Sequence, residues 1–273
     1  MLRKLFYLLP PSMRFIFRRI VFLPVDILSL FSNKLVPPRG MIYTGSGDFI
    51  KQGQEWKQFF IERAALLPQD RVLDIGSGIG RIAIGLMPYL KGKYEGFDAV
   101  KTGVDWCVKN ITSRNTNFGF QYIDLYNDLY KAKGRSAASF EFPFTQESFD
   151  FICAISVFTH MLPDEVENYV RQIALVLKPQ GKAVMTFFIL DKESIEYMQS
   201  AKPKIKFNLE GTTTSALMDR KVKSANVAYQ RSYLEQLFFT QGLTILESHS
   251  GYWSGRPKQI DLAFQDILIV TKV

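Results

Sequence analysis

The run Val72-Leu73-Asp74-Ile75-Gly76-Ser77-Gly78-Ile79-Gly80-Arg81 restricts this chain more than any other stretch. An apolar strand ends in an acid, turns through glycines at alternate positions, and enters the helical pattern Arg81-Ile82-Ala83-Ile84-Gly85-Leu86. Residues without a Cβ let the backbone turn tightly and let a ligand lie against bare peptide. Taken alone, the turn also fits a purely structural need for glycine. The dinucleotide fingerprint would demand its third glycine one position later, where Arg81 stands.

The surrounding segments extend the pattern. Lys93 to Val100 reads as a second strand carrying Asp98, 22 positions after Gly76. An acid about 20 residues beyond such glycines, at the carboxyl end of the next strand, is where a nucleoside ribose is held. Asp98 can accept from both ribose hydroxyls, with Phe97 and Ala99 flanking the adenine. Phe118 to Leu125 reads as a third strand that also ends in an acid, Asp124. Phe149 to Ser156 reads as a fourth, after the loop Phe142 to Ser148. Strands alternating with helical patterns predict a parallel sheet wound on both faces.

In order and spacing this series resembles the class I S-adenosylmethionine-dependent methyltransferases, with Asp74 to Gly80 matching the D-x-G-x-G-x-G of their first motif. The resemblance covers Arg71 to about Ile189. It implies a Rossmann-like α/β fold, a doubly wound sheet of seven strands, mostly parallel and closed by an antiparallel hairpin. Thr244 to Ser248 and Asp266 to Lys272 fit that hairpin. It implies S-adenosyl-L-methionine as cofactor, held by Asp74, Gly76, Ser77, Gly78, Gly80, Asp98, Ala99, Asp124 and Ser156. Asp124 fits the acid that meets the adenine amino group, and Ser156 to Met161 fits the loop after the fourth strand. Leu177-Lys178-Pro179-Gln180-Gly181-Lys182 is similar to the turn before the fifth strand, Gly181 to Ile189. Gln180 replaces the usual first glycine there, and Gly181 still supplies one flexible residue. Tyr229-Gln230, Trp253-Ser254-Gly255-Arg256 and Phe264-Gln265-Asp266 look like a bacterial branch whose acceptors are largely unassigned.

At 273 residues and 47% hydrophobic content, the chain can bury one large core. Two isolated cysteines, Cys107 and Cys153, make neither a disulfide framework nor a metal site, and two histidines cannot build a His-rich cluster. No metal is expected, and a reducing, cytoplasmic setting fits. Residues 1–40 hold a net +6 of the chain's +8, which argues against a general nucleic-acid surface and points to one basic, apolar end. From Met13 to Leu23, helical geometry sets Met13, Ile16, Phe17, Ile20, Val21 and Leu23 on a broad arc, away from Arg14 and Arg18. Such a segment reads as lying in an anionic membrane interface through residues 1–34, peripheral on the inner face. Arg18, Arg19, Pro24 and Asp26 rule out a spanning run of ~20 uncharged residues. The plainer alternative is a helix packed on the catalytic domain as a cap.

Pro37-Pro38-Arg39-Gly40 makes a stiff break, dividing a basic segment, 1–40, from a methyltransferase domain, 41–273. Asp48 fits a helix cap. Tyr43 to Phe49 also fits a fold over the methionine end of the cofactor. The stretch 190–231 is longer than a connection needs and reads as an acceptor-side insertion, or else as a plain surface one.

Methyl transfer from a sulfonium is an in-line displacement, so the protein mainly aligns the two reactants and excludes water. A base is needed only for a protonated acceptor. His160, just past the fourth strand, is the catalytic candidate, its ordinary pKa suiting neutral acid–base work. Orienting backbone is its plainer role. Tyr43, Asp191, Tyr229 and Trp253 are the acceptor-pocket candidates. The expected activity is methyl transfer to a small-molecule, glycan or lipid acceptor near a membrane, with no nucleic-acid partner. A nucleotide-cofactor oxidoreductase and a membrane-associated, non-catalytic cofactor-binding protein are the competing readings.

Overall fold

The computed structural model describes residues 11–29, 35–45, 47–126, 134–201, 203–220, 222–258 and 264–273. The expected membrane residues 1–10 and 30–34 lie outside these. Seven strands form the main sheet: β1 (Val72–Ile75), β2 (Tyr94–Asp98), β3 (Phe118–Tyr122), β4 (Phe149–Ala154), β5 (Leu177–Phe187), β9 (Leu243–His249) and β10 (Asp266–Lys272). Their spatial order is β3-β2-β1-β4-β5-β10-β9, parallel as far as β5, with β10 antiparallel to β5 and β9 antiparallel to β10. The order reverses between β1 and β4. In open α/β sheets, the crevice beyond the carboxyl ends at such a reversal is where ligands bind.

Apolar side chains cover both faces. Leu73, Ile75, Phe158, Phe187 and Val270 pack on one side, and Phe60, Val72, Phe118, Phe151 and Val184 on the other. Helix α2 (Phe49–Ala64) starts where the Asp48 carboxylate accepts from the Lys51 N–H, at 2.9 Å. It lies against α3 (Arg81–Leu86) on one face. Helix α5 (Pro163–Val176) begins with proline, and the Glu165 carboxylate accepts from the Leu162 N–H at 2.7 Å, satisfying a donor the helix itself leaves open.

The fifth strand departs from expectation. Its pairing with β4 jumps from Phe149↔Leu177 to Phe151↔Lys182, so Lys178 to Gly181 bulge out of the ladder. Gln180 itself takes the left-handed conformation, φ +63°. Gly181 answers a different need, since a Cβ there would lie 2.8 Å from the Leu177 side chain and from the Lys178 carbonyl. The strand also ends sooner, at Phe187, because Ile189 leaves the main sheet. It opens β6 (Ile189–Leu190), which joins β7 (Ser215–Leu217) and β8 (Val227–Gln230) in a second, three-stranded sheet. With α6 (Lys192–Ser200), this sheet encloses a small core of Phe188, Leu190, Met198, Phe207, Ala228 and Trp253. Helix α7 (Arg231–Thr240) then leads back to β9.

Among the described residues, the N-terminal helix α1 (Pro11–Ser29) packs against the turn Arg39–Met41. Its Asp26 carboxylate accepts from the N–H groups of Arg39 and Gly40, at 2.5 and 2.9 Å, and Arg18 Nε donates to the Arg39 carbonyl. Among the described residues, α1 contributes nothing to the three apolar cores, and Ile16, Phe17, Ile20, Leu23 and Leu28 are each more than half exposed.

Candidate functional site

The carboxyl ends of β1, β2 and β4 lie on the same edge of the sheet, where the crevice of an open α/β sheet is expected. The loop after β1 is tied down where the Gly76 and Ser77 N–H groups both donate to the Phe97 carbonyl at the end of β2. Gly76, at φ +72°, leaves no room for a side chain, because a Cβ would stand 2.6 Å from Val157 Cγ2 in the loop after β4. Gly80 faces away from the crevice, towards Cys107 of helix α4 (Lys101–Cys107), where a Cβ would come within 2.9 Å of the thiol. Gly78 differs from both. At φ +57°, the nearest atom to a Cβ there is Thr44 Oγ1 at 3.6 Å, followed by Tyr43 Oη at 3.9 Å. Gly78 is buried, and a side chain there would meet residues 43 and 44 at ordinary contact distance.

Asp98 ties these parts together. One carboxylate oxygen accepts from the Gly78 N–H at 2.8 Å; the other accepts from the Val100 N–H at 2.7 Å and the Tyr43 hydroxyl at 3.4 Å. Burial raises its pKa, while these three donors favour the charged form. Ala99 follows, packed partly against the core. Asp124 lies two residues beyond β3, exposed, with the Tyr122 hydroxyl 3.5 Å from its carboxylate. Ser156 sits just past β4 at φ +60°. Its N–H donates to Thr186 Oγ1 at 2.7 Å, and its hydroxyl to Gln265 Oε1 at 3.0 Å. Gln265 also donates to Thr159 Oγ1, at 3.4 Å.

Other expected residues take different positions. Asp74 is 1% exposed and lies beneath the glycine loop, its carboxylate accepting from the Tyr94 hydroxyl and, at 3.5 Å, from the Cys153 thiol. Burial pushes its pKa up to about 7. Both partners lie in the neighbouring strands, Tyr94 on β2 and Cys153 on β4. Tyr229 and Trp253, expected in an acceptor pocket, are fully buried. The Tyr229 hydroxyl donates to the Met161 carbonyl, and the Trp253 indole N–H donates to Asp266 at 2.7 Å. Each has a polar tip on an apolar body, and here both tips are satisfied inside the protein. Asp191 caps α6 through the Ser194 N–H and pairs with Arg231 and Arg256. Burial would raise its pKa, but the Ser194 N–H and the two guanidinium groups outweigh it and hold it below the usual carboxylate value. Only Tyr43 of the four acceptor candidates borders the crevice.

His160 ends a short turn, Phe158–His160, with its Nδ1 2.9 Å from the Ser224 carbonyl. A carbonyl only accepts, so the Nδ1 that faces it carries a proton. Sequence reading missed Thr186, Gln265 and Tyr94. Gln265 sits inside the singled-out Phe264-Gln265-Asp266, yet its partners are 106 and 109 positions away. A surface cleft of about 660 Å³, lined by Glu167, Arg171 and Tyr233 among others, contains none of the expected site residues. Among the described residues, no group of three or more His, Cys, Asp or Glu side chains is placed to hold a metal ion.

A family model described as a methyltransferase domain matches residues 49–248. Solved structures show the same fold at low identity. One is a protein from Pyrococcus horikoshii, 16% identical at a TM-score of 0.58, with 85% of this chain and 95% of that one covered. Another is a SAM-dependent methyltransferase from Methanosarcina mazei, 18% identical at a TM-score of 0.52, covering 78% and 97%. A third is the Burkholderia thailandensis 1,6-didemethyltoxoflavin-N1-methyltransferase with bound 1,6-didemethyltoxoflavin and S-adenosylhomocysteine, 15% identical at a TM-score of 0.52, covering 82% and 79%.

Proposed function

The chain belongs to the methyltransferase-domain family, and on that premise we propose that it uses S-adenosyl-L-methionine to methylate a small-molecule, glycan or lipid acceptor at a membrane surface. The observation that carries the cofactor assignment is the junction of Asp98, the Gly78 N–H and Tyr43 at the carboxyl end of β2. A ribose laid there meets a carboxylate able to accept from both hydroxyls. In this reading Ala99 and Asp124 would lie on the adenine side of the nucleoside and Ser156 towards the methionyl end. The cofactor supplies an activated methyl group on sulfur; the protein aligns it with the acceptor and excludes water. His160, oriented by the contact of its Nδ1 with the Ser224 carbonyl, takes the proton when the acceptor is protonated.

Calorimetry with S-adenosylhomocysteine tests the assignment. Asp98→Ala should weaken binding by about 1.5–3 kcal/mol, the range for hydrogen bonds to a charged group. Unchanged affinity would remove Asp98 from the site, and tight binding of NAD by the unaltered protein would overturn the assignment.

The membrane part of the reading is supported by the exposed apolar residues of α1, its arginines, and its absence from the apolar cores. No described helix is long and apolar enough to cross a membrane. We assign 1–40 to surface contact and 41–273 to the catalytic domain, with 190–231 on the acceptor side. Sedimentation with phosphatidylserine vesicles should pull down the full chain, less so at high salt, because each basic residue near the surface contributes about 1 kcal/mol. Phe17→Asp with Ile20→Asp should abolish it. Equal recovery of both proteins in the supernatant would leave α1 as a cap.

A further inference from the structure

The stretch between α6 and β7 carries Lys202, Lys204 and Lys206 at alternate positions, with no acid among them. Ile205 and Phe207 pack into the small core, while Lys204 and Lys206 stay exposed. The Lys204 ammonium lies over two rings, 5.1 Å from the centroid of Tyr252 and 5.7 Å from that of Phe264. The Lys258 ammonium lies 5.8 Å from the same Tyr252 centroid. The half-buried rings are fixed from behind. Tyr252 meets Phe264 edge to face at 5.2 Å, Phe264 meets the buried Phe188 at 6.1 Å, and the Trp253 N–H donates to the Phe264 carbonyl at 3.1 Å. Two like charges thus share one tyrosine ring. The carboxylates of this unit, Asp191, Glu193 and Asp266, pair with Arg256 instead. A ring face attracts each cation weakly, and an anion would relieve their mutual repulsion.

The patch adjoins the loop after β4. Gln265, next to Phe264 in the chain, accepts from the Ser156 hydroxyl at 3.0 Å and donates to Thr159 Oγ1, beside His160, at 3.4 Å. We propose that Lys204 and Lys258, over Tyr252 and Phe264, bind an anionic group of the methyl acceptor, a phosphate or a carboxylate; this rests on the methyl-transfer reading above. Lysine is a compact point charge with three donors, suited to either oxyanion. An anion held there sets the rest of the acceptor beside Ser156 to His160, where the transferred methyl is expected. The acceptor is thereby narrowed to an anionic molecule, and the insertion 190–231 supplies one of its two cations.

Dimethylating the lysines with isotope-labelled formaldehyde keeps their charge and gives each an NMR signal, which Lys→Arg variants assign. Inorganic phosphate titrated into the full chain, with and without S-adenosylhomocysteine, should shift the Lys204 and Lys258 signals together and to saturation, ahead of the exposed Lys109. Lys204→Glu with Lys258→Glu should weaken phosphate by about tenfold or more, the range of a charge-assisted hydrogen bond, and leave S-adenosylhomocysteine affinity within about twofold. If the two signals only follow Lys109 without saturating, the inference falls. It falls too if the double variant loses phosphatidylserine vesicles as well, since the patch is then part of a membrane contact. With methyl-labelled S-adenosylmethionine and cell extract, the labelled product should be retained by an anion exchanger, and organic extraction separates a lipid-borne anion from a soluble one. An unretained product would overturn the acceptor assignment. Failure of the unaltered protein to bind S-adenosylhomocysteine would sink the cofactor reading instead, and the phosphate titration without it still decides the site.

Discussion

Replacing Asp74 by asparagine should change how stability depends on pH. The carboxyl ordinarily titrates near 3.8, and burial beneath the glycine loop raises it to about 7 in the folded protein. Between those values the folded state holds a proton that the unfolded state has released, so stability falls as pH rises. The contribution is fully present below about pH 4, is lost through pH 7, and is flat above. A difference of about three pKa units corresponds to about 4 kcal/mol, lost at about 1.4 kcal/mol per pH unit. The Asp74→Asn variant keeps an acceptor for the Tyr94 hydroxyl and removes the titration. Asp266 is raised as well, to about 6, but it remains in each protein and cancels in the difference, whereas the Asp98 charge adds to the rise at Asp74. Urea denaturation at half-unit steps from pH 4.5 to 8.5 should show the variant gaining on the unaltered protein by a few kcal/mol across the range. Tyr94→Phe removes a donor that favours the carboxylate and should move the falling limb to higher pH. Parallel curves for Asp74→Asn and the unaltered protein would refute the reasoning.

Gly76→Ala should destabilise by about 1–3 kcal/mol or more, since it adds a Cβ at φ +72° against Val157, and should weaken S-adenosylhomocysteine in parallel; denaturation and calorimetry measure the two effects. Trp253→Phe removes a donor from buried Asp266 and should cost about 1.5–3 kcal/mol of stability in urea, leaving cofactor affinity unchanged. His160→Ala should lower turnover on a protonated acceptor by on the order of 10²-fold or more with little change in cofactor affinity, and turnover equal to the unaltered protein would leave His160 as a backbone-orienting residue.

The strand-to-helix turn at Asp74 to Arg81, the acid at Asp98 and the closing strands can be read directly because each is a local matter. Backbone freedom at alternate glycines, apolar runs of strand length and an acid at a strand end are settled within a few residues of chain. They carry the parallel part of the sheet, since a parallel strand must be reached by a crossover. The tertiary structure alone decided which polar residues face the crevice. Trp253, Tyr229 and Asp191 have the composition of a binding pocket, yet their partners Asp266, Met161 and Arg256 lie 13, 68 and 65 positions away and turn their polar groups inward. Arg81, which composition marks only as a departure, is tied to the segment before β1 by a carbonyl 37 positions earlier. A side chain's polarity is fixed by the sequence. Whether that polarity is spent inside the protein or left open to a ligand depends on contacts between distant segments, and those exist only once the sheet has brought them together.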